Sequence, residues 1–350
     1  MVTLPARYGR WMPILAPLAV LVLILHLHTG LGDNQQIVVD QTPPRKSSSD
    51  YKIPSPVEER RQRSKPKTPE CPSLPGIEDV LVVLKTGITE AQEKVPIHLR
   101  TTLRCIPHKL IVSDFEEDIA GTRTRDVFRN ASDKLRASED FALYNRARAG
   151  GRAALLDKDN VKVANGPMGM ADNPGWKLDK WKFLPMIQES RQYRPEARWY
   201  LFMEADTYPI WPNLLGWLQN FDSDRKLYLG NQMQIGDTLF AHGGSGFVLS
   251  HAAMHAVADY HASAVEEWEK TTEIEWAGDC VLGMALEKIG IPLTWSWPHV
   301  TTQSIWEQDA IGEGFGLRQW CYPPVTFHHM TPADIEKLWE FDRGFFADVS

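Results

Sequence analysis

The apolar positions of this chain fall into short dense runs, separated by stretches that carry helical spacing or none. Asp79-Val80-Leu81-Val82-Val83-Leu84-Lys85-Thr86-Gly87 reads as a buried strand ending in a turn, and Leu110-Ile111-Val112-Ser113 as a second strand ending at Asp114. Trp199-Tyr200-Leu201-Phe202-Met203 reads as a third, stopped by Glu204 and Asp206. Residues 88–104 between the first two have helical spacing, which gives a right-handed βαβ unit. Further on, the pattern predicts a helix over 176–190 kinked at Pro185, a short helix over 214–221, strands over 227–230 and 247–250, a helix over 251–269, and a helix with Asp279 at its start. A short strand over 325–329 and a last helix over 332–346 complete it. Residues 122–148 are basic and polar with helical spacing, 157–175 read as a loop, and 295–324, rich in Trp, Pro and Gly, as a long functional loop. Strands alternating with helices predict an α/β fold with a mostly parallel sheet, whose sites lie at the strands' carboxyl ends.

The first 70 residues break this pattern. Arg7 and Arg10 precede an apolar stretch from Trp11 to Leu27, at the short end of the roughly 17–25 residues that span a bilayer. It reads as a signal anchor over 11–29, with a cytoplasmic tail over 1–10 and the rest of the chain luminal. A cleaved signal peptide is the alternative. Residues 30–70 are polar, rich in Pro, Ser, Lys and Arg, and read as a disordered stem. The folded domain then covers 71–350. Hydrophobic residues make up 43% of the chain, enough for a sizeable core, and the net charge of −7 argues against a general nucleic-acid binder. Four cysteines in an oxidising lumen predict two disulfides; three pairings are possible, and the expected one is Cys71 with Cys105, which flank one βα unit, and Cys280 with Cys321, which bracket the later half of the domain. Asn130-Ala131-Ser132 is the only N-glycosylation sequon.

The chemistry gathers after the third strand. Side chains two apart on an extended backbone point the same way, so Glu204 and Asp206 can face one hard cation; a solvated acidic turn is the equal alternative on these residues alone. A glycine cluster, Gly243-Gly244-Ser245-Gly246, precedes another strand and lets a backbone pass close to a ligand, but no Gly-Lys-Ser/Thr follows to make it a P-loop. The 325–329 strand ends in two histidines, His328 and His329. His329 should point to its opposite face.

In order along the chain, these pieces resemble the inverting β-1,3-glycosyltransferases of glycosyltransferase family 31, the family of core 1 galactosyltransferase and the Fringe enzymes. Lys85-Thr86-Gly87 with His98 through Cys105 looks like that family's first βα unit. Glu204-Ala205-Asp206-Thr207-Tyr208 looks like its Asp-Asp-Asp-Thr-Tyr metal motif, and Gly243 to Ser250 is similar to its Gly-Gly-Ala-Gly-Tyr-Val-Leu-Ser. Gly278-Asp279-Cys280-Val281-Leu282-Gly283 looks like its Glu-Asp-x-x-x-Gly, and Val325-Thr326-Phe327-His328 is similar to its Val-Ser-Phe-His. Each motif is weak alone; five in the right order are strong. The chain departs at Glu204, where the family has Asp, and at Ala205 and Gly278, where the family has an acid.

The resemblance implies a nucleotide-sugar-binding, Rossmann-like α/β fold of the GT-A type, with its mostly parallel sheet flanked by helices. It implies a single-pass type II membrane protein of the Golgi or ER, a UDP-sugar donor, a glycan or glycoprotein acceptor, and Mn²⁺. Asp206, Glu204 and His328 would be metal ligands, and Asp279 the general base, with a helix cap as its plain alternative and Glu273 and Glu275 in reserve. Thr86, Gly87, Ser113 and Asp114 would border the nucleotide. Gly243, Gly244 and Ser245 would line the donor sugar or the acceptor's approach, and Trp295, Trp297 and Trp306 could stack on acceptor rings or pack in the core. A non-catalytic luminal chaperone or lectin on the same fold is the competing function.

Overall fold

Strands that are apolar on both faces have no side to offer water, so they belong at the centre of a sheet covered on both sides. In the computed structural model, which describes residues 71–160, 173–309 and 311–347, the first and third runs become Val80–Lys85 and Trp199–Glu204. They are neighbours at the heart of a seven-stranded sheet. In chain order its strands are Val80–Lys85 (β1), Lys109–Ser113 (β2), Arg125–Asp126 (β3), Trp199–Glu204 (β4), Tyr228–Gly230 (β5), Phe247–Ser250 (β6) and Leu293–Trp295 (β7), and they lie side by side as β7-β5-β6-β4-β1-β2-β3. All pair in parallel except β6, which is antiparallel to both β4 and β5. The expected mostly parallel α/β sheet is what forms.

Alternation along the strands sorts side chains into two cores. Leu81, Val83, Tyr200 and Phe202 face Phe183–Tyr193 (α2), His251–Ser263 (α4), Val265–Ile274 (α5) and Gly278–Lys288 (α6); Val80, Val82, Leu84, Leu201 and Met203 face Ala91–Arg100 (α1) and Trp211–Leu218 (α3). A last helix, Pro332–Ala347 (α7), covers Tyr208 and Phe327 with Ile335 and Leu338. Two consequences position the site. The register Lys85↔Glu204 sets the carboxyl ends of β1 and β4 abreast. Because β6 runs against β4, with Phe247 opposite Phe202, the glycine turn that precedes β6 arrives at that same edge.

Several elements differ from the pattern. The stretch expected as one helix over 176–190 is two, Pro174–Asp179 and α2, joined by a 3₁₀ turn at Lys180–Lys182. Pro185 is not the break, since it lies in the first turn of α2, where a missing N–H costs nothing. The helix expected over 251–269 divides at Ala264 into α4 and α5. Residues 122–148 give short strands and the helices Asp133–Arg136 and Ala142–Gly150. A hairpin pairing Gln232–Ile235 with Thr238–Ala241 was not anticipated. Cys71 and Cys105 are bridged, Cα–Cα 5.5 Å. The second expected bridge is absent: Cys280 is buried in the first turn of α6 and Cys321 is exposed, so both are free thiols. The expected tail, anchor and stem of residues 1–70 lie outside the described residues; among those described, no helix is long and apolar enough to cross a membrane.

Candidate active site

At the end of β4 the chain turns, and its side chains divide between core and cleft. Ala205 is 2% exposed and faces the core, while its carbonyl accepts a hydrogen bond from His98 Nε2 at 3.0 Å. His98 Nδ1 is 2.7 Å from Thr102 Oγ1, and burial lowers the imidazole to about 4, so it holds the turn as a neutral ring. A carboxylate in place of Ala205 would be buried among apolar side chains, which disfavours an acid at this position. Thr207 fastens the turn from within: its Oγ1 accepts from Glu204 N at 3.0 Å and donates to Gly244 O at 2.7 Å. The short strand Thr326–Phe327 pairs antiparallel with Tyr208–Pro209, and Thr326 Oγ1 donates to Ser245 O at 2.7 Å. These bonds carry His328 over the turn.

Glu204, Asp206 and His328 thereby each offer one ligand atom, all within 4.8 Å of one another. His328 Nε2 stands 3.4 Å from Asp206 Oδ1, an ion-pair contact. Asp206 Oδ1 and His328 Nδ1 are buried with no hydrogen-bond partner. The ring of His328 lies so close to the glycine turn that a Cβ on Gly244 would fall 2.2 Å from Nε2. Burial favours the neutral form of Asp206, but His328 and then Lys94, 3.8 Å away, outweigh it and hold the carboxyl below its usual range. For His328, burial lowers the pKa and Asp206 more than restores it.

A second set of charges lies beside the first. Lys85, at the end of β1, is ion-paired to Asp179 and, at 3.1 Å, to Glu204 Oε1. Lys182 is 3.0 Å from Asp114 Oδ2 and 3.7 Å from Asp179 Oδ1, and it donates to Thr86 O at 2.8 Å. Burial works to lower both lysines, yet their acid partners hold them above the ordinary value. Glu204 is raised, since burial outweighs the pull of Lys85. The sequence assigns no site role to Lys85, which it places only in the first βα unit, nor to Lys94, Asp179 or Lys182. The available signal was a lysine closing an otherwise apolar strand.

Of these groups, Asp179, Lys182, Glu204, Asp206 and His328 border an open cavity of about 450 Å³. Of the residues expected at the site, Gly87, Glu204, Asp206, Gly244, Asp279 and His328 line it. Thr86, Ser113 and Asp114 are buried behind it, where Asp114 accepts from Ile88 N at 2.8 Å and meets Lys182; a Cβ on Gly87 would strike both Asp114 and Lys182 at 2.9 Å. Gly243 and Ser245 support the wall, with Ser245 Oγ 2.8 Å from His242 Nδ1. His329 departs from expectation: the strand ends at Phe327, a φ of 56° turns the backbone, and its ring lines the same cavity. Trp176 and Trp276, stacked at 5.8 Å, also line it and were not anticipated. Trp295 and Trp297 pack against Phe315 instead, and Trp306 Nε1 bonds Asp334 at 3.0 Å; none of the three is in the lining. Glu273 and Glu275 are outside it too.

Asp279 is not a cap in the ordinary sense. Helix α6 begins at Gly278 with Ala277 at the cap position, so Asp279 sits inside the first turn. Its Oδ2 accepts from Gly243 N and its Oδ1 from Cys280 N, both at 2.9 Å. Burial pushes its pKa up, against those hydrogen bonds. Gly278, where an acid was expected, has a packing reason: a Cβ there would lie 2.4 Å from the Phe183 ring and 2.5 Å from Lys180 O.

The donor set of two carboxylates and an imidazole suits a divalent cation of the Mg²⁺ to Mn²⁺ type. Asp206 Oδ1, buried without a hydrogen bond and facing His328 Nε2 at 3.4 Å, supplies the fit, while Glu204 is shared with Lys85. Comparison with known proteins agrees with the motifs. A family model described as Fringe-like matches residues 180–305. Glycoprotein-N-acetylgalactosamine 3-beta-galactosyltransferase 1 of Xenopus laevis is 26% identical over 131 residues, 37% of this chain and 35% of that protein, so the match spans about a third of its length. A solved structure of a glycosyltransferase involved in glycosylation of the major capsid of PBCV-1 covers 75% of this chain and 99% of its own at 12% identity; its TM-score of 0.30 is too low to carry an argument. The motif resemblance is thus matched by sequence similarity, and the chain is similar to the Fringe-like glycosyltransferases of family 31.

Proposed function

We propose that this protein is a glycosyltransferase that moves a hexose from a UDP-sugar to a hydroxyl of a glycan or glycoprotein, with inversion and in β-1,3 linkage, as a type II protein of the Golgi or ER membrane. The observation that carries the reading is the convergence of Glu204 and Asp206 with His328, more than 120 positions later, beside a cavity that Asp279 also lines. Asp206 and His328, with Glu204, would hold Mn²⁺, which when bound offsets the charge developing on the departing diphosphate. Lys85 and Lys94 stand at the same acids and add positive charge where that diphosphate would lie. Asp279, aimed by the Gly243 and Cys280 amides and raised by burial, accepts the proton of the attacking hydroxyl. Its coupling to Gly243 ties the position of the base to the turn that seats His328.

The test is UDP release by the purified chain from UDP-galactose, UDP-N-acetylglucosamine and UDP-glucose, with Mn²⁺ and then with chelator. The reading expects release from one donor above the others and its loss on chelation. No release and no donor binding would favour the chaperone or lectin reading, for which the Glu204–Lys85 pair is the one favourable observation.

A further inference from the structure

Large aromatic side chains mostly leave water when a chain folds, so an exposed aromatic pair in a cleft calls for a reason. Trp276 keeps 44% of its surface exposed and Trp176 is half-buried, although their rings stack with centroids 5.8 Å apart. Both line the open cavity of about 450 Å³ that holds the acids and His328. Local structure fixes each of them. Asn173 caps the Pro174–Asp179 helix, its Oδ1 accepting from Gly175 N at 2.8 Å and from Trp176 N at 3.2 Å. Leu178 is buried in the core, and Trp176 and Asp179, three positions apart, share the side that lines the cavity. Trp276 stands in the link between α5 and α6, three residues before Asp279.

Asp179 gives this aromatic surface a polar edge. Its carboxylate is held by Lys85 and, at 3.7 Å, by Lys182, yet its side chain is 31% exposed. Burial raises Glu204 and Asp279, and the charge of Asp179 adds to both, so it stands in electrostatic reach of the cation site and of the base. Indole rings beside a fixed carboxylate suit a pyranose. Its C–H face is apolar and covers the rings, while hydroxyls at its rim donate to the carboxylate. An acyl chain would desolvate Asp179 without offering a donor, and a serine or threonine side chain has too little apolar surface to cover two indoles.

We propose that Trp176, Trp276 and Asp179 form the acceptor subsite, and that the acceptor is a hexopyranose at the end of a glycan rather than a serine or threonine hydroxyl, an assignment that rests on the transferase reading above. A hydroxyl of the seated ring attacks the donor. Its oxygen bonds to the donor's anomeric carbon, and its proton passes to Asp279. The bond from that carbon to the diphosphate oxygen breaks, and UDP leaves with the electron pair.

The test gives the full chain, with Mn²⁺ and whichever UDP-sugar it cleaves, the methyl glycosides of galactose, glucose and their 2-acetamido forms, and a sugar-free serine/threonine peptide. Transfer to at least one glycoside and none to the peptide is expected. Trp276→Ala, with its melting temperature as control, should raise the acceptor KM about tenfold and leave the donor KM in place; Trp276→Phe, which keeps a ring, should recover most of the loss. Saturation-transfer NMR with UDP and Mg²⁺ should detect the same glycoside on the wild type and not on Trp276→Ala. Three results overturn the assignment: a chain that releases UDP but neither binds nor glycosylates any of these glycosides, a folded Trp276→Ala with an unchanged acceptor KM, or a rise in the donor KM alone, which would give the rings to the donor. A chain that binds a glycoside but releases UDP from no donor overturns it through the transferase reading instead, and leaves a lectin.

Discussion

Two clusters of charge meet at the edge of this sheet, and they are built on opposite principles. Around Lys182, every charge is matched within the chain: Asp114 and Asp179 face it, Asp179 also faces Lys85, and the residual donors go to Thr86 O. Around Asp206 the matching is incomplete: its Oδ1 has only a 3.4 Å ion-pair contact with His328 Nε2 and is buried without a hydrogen bond. Buried ions with full sets of partners set the geometry of a fold but need nothing more. Buried polar atoms without them mark where something else completes the structure. The comparison therefore assigns Asp114 to scaffold and Asp206 to chemistry, although the sequence pattern placed both at the ends of strands.

Breaking the matched cluster should have the largest effect, and on stability. Lys182→Met leaves Asp114 and part of Asp179 buried without a counter-charge and should cost about 3–5 kcal/mol in denaturant unfolding. An unchanged midpoint would mean that these ions are hydrated and the cluster is not structural. Breaking the cleft should act on catalysis alone. Asp279→Asn keeps an oxygen to accept from an amide but removes the proton acceptor, and kcat should fall by about 10²–10⁴-fold with an unchanged melting temperature. The wild-type rate should also rise with pH through a pKa above the usual carboxylate range, because burial raises Asp279 and the base works only when ionised. A mutant with near-normal kcat would transfer the role to another group.

Smaller still should be the cost of restoring the family's acid beside the base. Gly278→Glu drives a Cβ into the Phe183 ring and Lys180 O and should destabilise by about 1–3 kcal/mol through overpacking. A neutral result would mean that α6 shifts freely against the 180–182 turn, and the link from Gly243 to Asp279 would then be loose.

The same contrast explains what could be read from the sequence. The central strands were legible because Val80–Leu84 and Trp199–Met203 are apolar on both faces. The Glu204, Asp206 and His328 convergence was legible through the motifs, since a strand end and a following short strand place residues reproducibly. The matched cluster was not, because Lys182 and Asp179 sit in a helical stretch where isolated charges ordinarily face water. The 232–241 hairpin was missed, although Gly236-Asp237 between two runs is a hairpin signal and Gly236 has a φ of 57°. The orientation of His329 depended on a left-handed backbone that a non-glycine residue rarely adopts. The expected pairing of Cys280 with Cys321 rests on the even count and on their bracketing the later half of the domain, and neither reports that Cys280 faces the core.

The central claim is that Asp206 and His328 hold the divalent cation on which donor binding depends. Calorimetric titration of Mn²⁺ into the purified chain in the presence of UDP tests it most directly, in wild type and in Asp206→Ala, with the melting temperature of each as control. The account predicts one Mn²⁺ site per chain in the wild type and its loss in a folded Asp206→Ala, together with transfer. A folded Asp206→Ala that binds Mn²⁺ and turns over like the wild type would contradict it.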